Sequence, residues 1–147
     1  MAKYYEVVIY TASLSKYADP LMDILDQNNA APQRLFREHC TFHNGLFVKD
    51  LSRLGRLLTD TIIIDNSPQS FMFQPDNGIP ILSWYEDRSD TKLFDYIPLL
   101  KLMASSSIVD VRTILADAMT PDRTGFNHEK AIKDCHHIIK ENEHHKK

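Results

Sequence analysis

Three consecutive isoleucines, Ile62, Ile63 and Ile64, set the strongest limit on what this chain can fold into. They lie within R-L-L-T-D-T-I-I-I-D-N-S-P-Q-S-F, residues 56–71. β-branched side chains are stiff at χ1 and suit a pleated strand. An unbroken apolar run bounded by turn residues predicts a strand buried on both faces, as in a parallel sheet. Asp65 and Asn66 stand at its carboxyl end, followed by Ser67 as N-cap and Pro68 at the first helical position of a turn or short helix. In open α/β sheets, ligands gather beyond the carboxyl ends of the strands. A carboxylate and an amide oxygen there are hard donors that suit Mg²⁺. The same two residues also serve simply to close a strand-to-helix turn.

A second run, Val7-Val8-Ile9-Tyr10, repeats the design. It ends in Thr11-Ala12-Ser13 and leads into a helical pattern over residues 14–26, with Leu14, Tyr17, Leu21, Ile24 and Leu25 on one side. Asp19-Pro20 predicts a cap and a fresh start inside that helix. Leu35-Phe36-Arg37-Glu38 reads as a short strand. Asn44-Gly45, between Thr41-Phe42-His43 and Leu46-Phe47-Val48-Lys49, predicts a β-hairpin, because both turn residues tolerate positive φ. Asp50 caps one turn over residues 51–54, and Gly55 ends it.

Further along, residues 75–78 form a turn and residues 79–84 a strand, with Pro80 marking its edge or start. Ser89 or Asp90 caps a helix that runs to Met103 and is kinked or restarted at Pro98. Residues 110–119 form another helix and 120–126 a loop. Asn127 caps a last helix with Ile132, Cys135, Ile138 and Ile139 on one face, and its Lys/His/Glu end is expected to fray.

A chain of 147 residues can hold one domain with a core. A net charge of −3 argues against a broad nucleic-acid or anionic-membrane surface, while leaving room for a local basic pocket. Cys40 and Cys135 are too few and too far apart for a disulfide framework, which points to a reducing compartment. No apolar run reaches membrane-spanning length, and no signal peptide precedes Val7. His39 and His43 share a strand face from which Cys40 points away, so they do not read as a zinc set. The cluster His136, His137, His144 and His145 reads as a solvated helix end.

Taken together, Y-T-A-S-L-S-K-Y-A-D-P, L-F-R-E-H-C, V-K-D-L-S-R-L-G-R and I-D-N-S-P resemble the small carboxy-terminal-domain phosphatases. These are the Dullard- and NIF-like proteins of the haloacid dehalogenase superfamily. The similarity covers roughly residues 4–103, and S-I-V-D-V-R-T-I-L also resembles family tails. The resemblance implies an α/β fold with a haloacid-dehalogenase-like three-layer parallel sheet and a β-hairpin insertion. A phosphatase homology domain would occupy residues 1–119, with a loop and C-terminal helix in 120–147. It further implies Mg²⁺-dependent hydrolysis of phosphoserine or phosphothreonine in peptides such as the RNA polymerase II tail.

By the same resemblance, Thr11 would hydrogen-bond the phosphoryl group, with the start of the following helix beside it. Lys49 would neutralise phosphate and hold the nucleophile's carboxylate. Asn66 would ligate Mg²⁺ directly, and Asp65 would bind the metal or its waters. Arg37 and Tyr17 match positions that contact the substrate peptide. On spacing alone, Tyr17 reads as a core residue and Lys49 as a solvated charge.

Two departures stand out. Leu57 replaces an acid often found after the Gly-Arg pair. The family's nucleophile lies in D-x-D-x-T, on a strand before the one at Val7, and no two aspartates here stand two positions apart. Asp19, Asp23 and Asp26 lie on a helix, where that spacing does not serve. The expectation is therefore an N-terminally incomplete domain: its first, nucleophile-bearing strand is missing, two strand edges are unpaired, and the chain as given is inactive. Two other readings keep the fold. One is a non-catalytic phosphopeptide-binding scaffold. The other is a receptor like a mitochondrial presequence-translocase subunit, in place of a nuclear or cytoplasmic enzyme. Oligomeric state is left open.

Overall fold

Both apolar runs that end in small polar residues become strands in the computed structural model, which describes residues 1–145. β1 (Val8–Tyr10) pairs in parallel with β2 (Gln33–Leu35), and α1 (Ser15–Leu25) makes the crossover between them. β3 (Thr41–His43) and β4 (Leu46–Val48) form the antiparallel hairpin that Asn44-Gly45 predicts. Both turn residues have positive φ, 49° and 78°. β5 (Ile63–Asp65) pairs in parallel with β6 (Gly78–Pro80). Their crossover is short and made of two 3-10 turns, Pro68–Phe71 and Pro75–Asn77.

The fold is α/β, and among the described residues the strands form three two-stranded sheets, so the expected parallel sheet is interrupted between β1 and β5, where two unpaired edges were expected. β1 and β5 each have one partner, so each keeps a free edge. β1 is half-buried along its length, not buried on both faces as expected. A two-stranded pair has little surface to bury. α1 puts only Ala18 into the interior and turns Tyr17, Ile24 and Leu25 outward.

The larger core belongs to the second half of the chain. α2 (Lys92–Asp95) leads into α3 (Ile97–Met103), and α4 (Val111–Ala118) and α5 (His128–His144) follow. Leu99, Met103, Ile114, Leu115, Ala131 and Cys135 pack together with Ile79 of β6. Ile132, Ile138 and Ile139 flank that core on the α5 face expected from the sequence. A smaller cluster joins Leu51, Ile63 and Phe71 under β5. The caps expected at Asp50 and Asn127 form, accepting from Ser52 N and Lys130 N, and Gly55 ends its turn in the left-handed region. Among the described residues no helix is long and apolar enough to cross a membrane.

Several local expectations are corrected. Helix α1 runs through Pro20 without a fresh start. Proline removes one i→i−4 bond, but Arg34 of β2 ties Asp19 and Asp23 across that turn at 2.7 and 2.6 Å. The strand expected at residues 35–38 lies two residues earlier. Phe36 N donates to His39 Nδ1 at 2.8 Å, which turns the chain into the 3-10 turn Arg37–His39.

The strand expected over 79–84 stops at Pro80. Ile81 N gives one last bond to Asp65 O at 3.0 Å, and beyond Asp65 the partner strand has ended. Ser67 does not cap with its side chain. The helix expected from residue 89 breaks at Tyr96, with Pro98 in the first turn of α3, and Asp90 rather than Ser89 accepts from Lys92 N. The helix expected to reach residue 119 ends at Ala118, because Met119 bridges Phe126 in antiparallel fashion. The expected fraying falls partly on residues 146–147, outside the described residues.

Candidate active site

The site is built where strands end. Lys49 follows β4, and its backbone N–H donates to Ser70 O at 2.7 Å, which fixes the hairpin base against the turn after β5. Its side chain pairs with Asp65, the last residue of β5. Lys49 is 8% exposed and Asp65 7%. A buried charge is tolerable only when paired and hydrogen-bonded, and both conditions hold here. Asp65 Oδ2 accepts from Lys49 Nζ, and Oδ1 accepts from Ser67 N at 2.8 Å. Asn66 is exposed beside them, and its Nδ2 donates to Ser83 Oγ at 2.9 Å. The amide oxygen is thereby turned away from that contact.

A cleft of about 550 Å³ opens over these groups, lined in part by Tyr10, Lys49, Ile64, Asp65, Asn66 and Trp84. Tyr10 ends β1 and Ile64 lies within β5, so both strands reach the cleft, and the chain after β6, residues 81–84 and 90–94, lines most of the rest. Burial pushes the Tyr10 phenol up to about 12, so it stays a donor, to His39 O at 2.7 Å.

That bond is one of four between residues 10–13 and 37–40. Arg37 N donates to Ser13 O at 3.1 Å, and Arg37 Nε donates to Ala12 O at 2.7 Å. The Cys40 thiol makes a long contact with Thr11 O at 4.0 Å, and burial raises its pKa. The loop after β1 is therefore held by the turn after β2. Within it, Thr11 Oγ1 accepts from Ser13 N at 3.1 Å. A hydroxyl that accepts in this way keeps its hydrogen for another partner.

Of the residues singled out from the sequence, Lys49, Asp65 and Asn66 line one cleft. Thr11 and Arg37 are tied into one loop pair directly after Tyr10. Tyr17 is not a core residue: it is 68% exposed on α1. Sequence reasoning missed Ser83, the Ser67 N–H, Tyr10 and Phe47. Ser83 was findable as the polar residue just beyond the neighbouring strand. Phe47, whose ring centre lies 4.9 Å from the Arg37 guanidinium carbon, has no such signal, because a strand over residues 35–38 gives no reason for Arg37 to reach it.

Among the described residues no three His, Cys, Asp or Glu side chains converge as a metal set. Asp65 and Asn66 offer two hard oxygen donors, and each Asp65 oxygen has a lone pair to spare. Mg²⁺ is commonly held through one or two carboxylates and several waters. The donor chemistry of the pair fits Mg²⁺ without itself completing a site.

The family model described as "NLI interacting factor-like phosphatase" matches residues 1–112. The human protein named carboxy-terminal domain RNA polymerase II polypeptide A small phosphatase 2 is 48% identical over 121 residues, covering 82% of this chain and 44% of that protein. A probable C-terminal domain small phosphatase of Dictyostelium discoideum is 51% identical over 118 residues, 80% of this chain and 38% of the relative. A CTD small phosphatase-like protein of Caenorhabditis elegans is 52% identical over 112 residues, 76% of this chain and 23% of the relative. The chain thus spans less than half the length of each of these relatives. Identity of this order over most of the chain, together with the family match, leads to one conclusion: the chain belongs to the NLI interacting factor-like phosphatases, the carboxy-terminal-domain small phosphatase family.

Proposed function

We propose that these residues form the phosphate-facing part of a serine/threonine phosphoprotein phosphatase of the haloacid dehalogenase type. The attacking carboxylate is carried by polypeptide outside the 147 residues. The observation that carries this reading is the buried Lys49–Asp65 pair at the strand ends, with Asn66 at its mouth. A phosphoryl group brings roughly two negative charges into such a cleft. Lys49 meets that charge with its ammonium group, whose position Asp65 fixes. Thr11 donates its hydroxyl hydrogen to a phosphoryl oxygen. Asp65 and Asn66 hold Mg²⁺, which when bound draws charge from the phosphoryl oxygens as a Lewis acid. Arg37 and the exposed ring of Tyr17 contact the peptide.

The placing of the nucleophile rests on two observations. The sequence has no two aspartates two positions apart. Tyr10 of β1 and Ile64 of β5 line the same cleft although their strands do not pair. An extended segment lying between β1 and β5 would pair with both free edges and bring a carboxylate level with Asp65. The relatives' names point to the RNA polymerase II carboxy-terminal domain as substrate. The place of action in this reading is nuclear or cytoplasmic, the nuclear one fitting that substrate.

Titration of a phosphoserine-proline peptide tests the reading. Lys49→Ala is expected to weaken binding at least about tenfold, or ~1.4 kcal/mol. Binding that ignores the substitution contradicts it. A second reading, a phosphopeptide-binding scaffold, uses the same groups, and the lack of an aspartate pair favours it for the 147 residues alone. The two readings part when an extended peptide carrying D-x-D-x-T is added: phosphate release supports the enzyme, and binding without release supports the scaffold.

A further inference from the structure

Arg37 is held at three points. Its backbone N–H reaches Ser13 O at 3.1 Å, its Nε–H reaches Ala12 O at 2.7 Å, and its guanidinium carbon lies 4.9 Å from the centre of the Phe47 ring. Its terminal nitrogens make no hydrogen bond among the described residues. The carbonyl and the ring together fix where the guanidinium sits, and its terminal nitrogens are left for a ligand. A planar fork of this kind suits the oxygens of phosphate, carboxylate or carbonyl groups. Phe47 is itself braced: it sits opposite Phe42 across the hairpin, with ring centroids 5.2 Å apart.

We infer that Phe47 is a positioning residue for phosphopeptide binding. It holds the Arg37 guanidinium in place, so that the terminal nitrogens face an oxygen of the bound peptide beside the Thr11 loop. The inference rests on the reading of Arg37 as a peptide contact. Lysine at position 37 would not serve, because an ammonium has neither the plane that stacks nor the Nε–H that reaches Ala12. Leucine at position 47 keeps apolar bulk against Phe42 but offers no π face to the cation.

The test is the affinity of the full chain for a phosphoserine-proline peptide, read by fluorescence anisotropy, with the thermal midpoint of each variant alongside. Phe47→Leu is expected to weaken binding about three- to ten-fold, as loss of a half-buried cation–π contact implies. Phe47→Tyr, which keeps the ring, is expected to stay within about two-fold. In an Arg37→Gln background, Phe47→Leu is expected to have no further effect. Equal losses for the leucine and tyrosine variants, or a loss undiminished in the Arg37→Gln background, would overturn the inference. If Arg37→Gln weakens binding and Phe47→Leu does not, the inference fails and the contact stands. If Arg37→Gln is silent, the contact and the inference fail together, while Lys49→Ala still reports separately on the phosphate site.

Discussion

Lys49 and Asp65 show how one pair can serve both stability and binding. Each is buried, and each neutralises the other. Removing either partner leaves a charge in a poor solvent, so Lys49→Met is expected to destabilise the fold by about 3 kcal/mol in urea unfolding. A change under about 1 kcal/mol would mean that the survivor is well solvated. Burial also pushes the Tyr5 and Tyr10 phenols to about 12 and the Cys135 thiol to about 11. These groups ionise first in the unfolded chain, at about 9 to 10, so their contribution is whole below pH 9. It is lost as pH rises through 11–12. Denaturation midpoints measured from pH 8 to 11 should fall steadily above pH 9; a flat profile would contradict the burial. Asp65 and Asn66 were legible in the sequence because polar residues after a β-branched run mark a strand's carboxyl end. The contact of Arg37 with Phe47 was not, because it depends on a His39 side chain turning the backbone three residues earlier.

At the scale of elements, the tightest joint is where β6 starts. A methyl group on Gly78 would lie 2.0 Å from the ring of Phe71, a buried member of the smaller core. Backbone conformation is not the reason, since φ there is −100°. Gly78→Ala should therefore destabilise the chain by about 2 kcal/mol through overpacking. Phe71→Leu in the same chain should recover part of that loss, and thermal unfolding of the single and double variants checks it. An unchanged midpoint in Gly78→Ala would show that Phe71 moves aside freely. Element types were largely legible: the hairpin, α1, α4 and α5 all follow from period and capping. Pairing was not legible from the runs themselves. A run such as Val8-Ile9-Tyr10 announces a strand but not its neighbour, and the two unpaired edges that β1 and β5 keep were expected only from the family resemblance. The overlong strand at residues 79–84 failed likewise, because its length depends on where β5 ends.

For the whole molecule, burial is uneven. α3, α4 and α5 share the larger core with Ile79, whereas β1, α1 and β2 bury little beyond Ala18. Stability should follow burial. In native-state hydrogen exchange, amides of α4 and α5 are expected to open only with global unfolding, and those of β1 and α1 at a lower free energy. Uniform protection would contradict the division. The same division underlies the functional account, in which Lys49, Asp65 and Asn66 face a cleft that β1 and β5 both reach without pairing. The most direct test is Mg²⁺-dependent phosphate release from a phosphoserine-proline peptide by the purified chain, in a sample already shown to bind that peptide. The account predicts binding with no release above background. Sustained release by these 147 residues alone would contradict it, because a carboxylate already in the chain would then be attacking phosphorus.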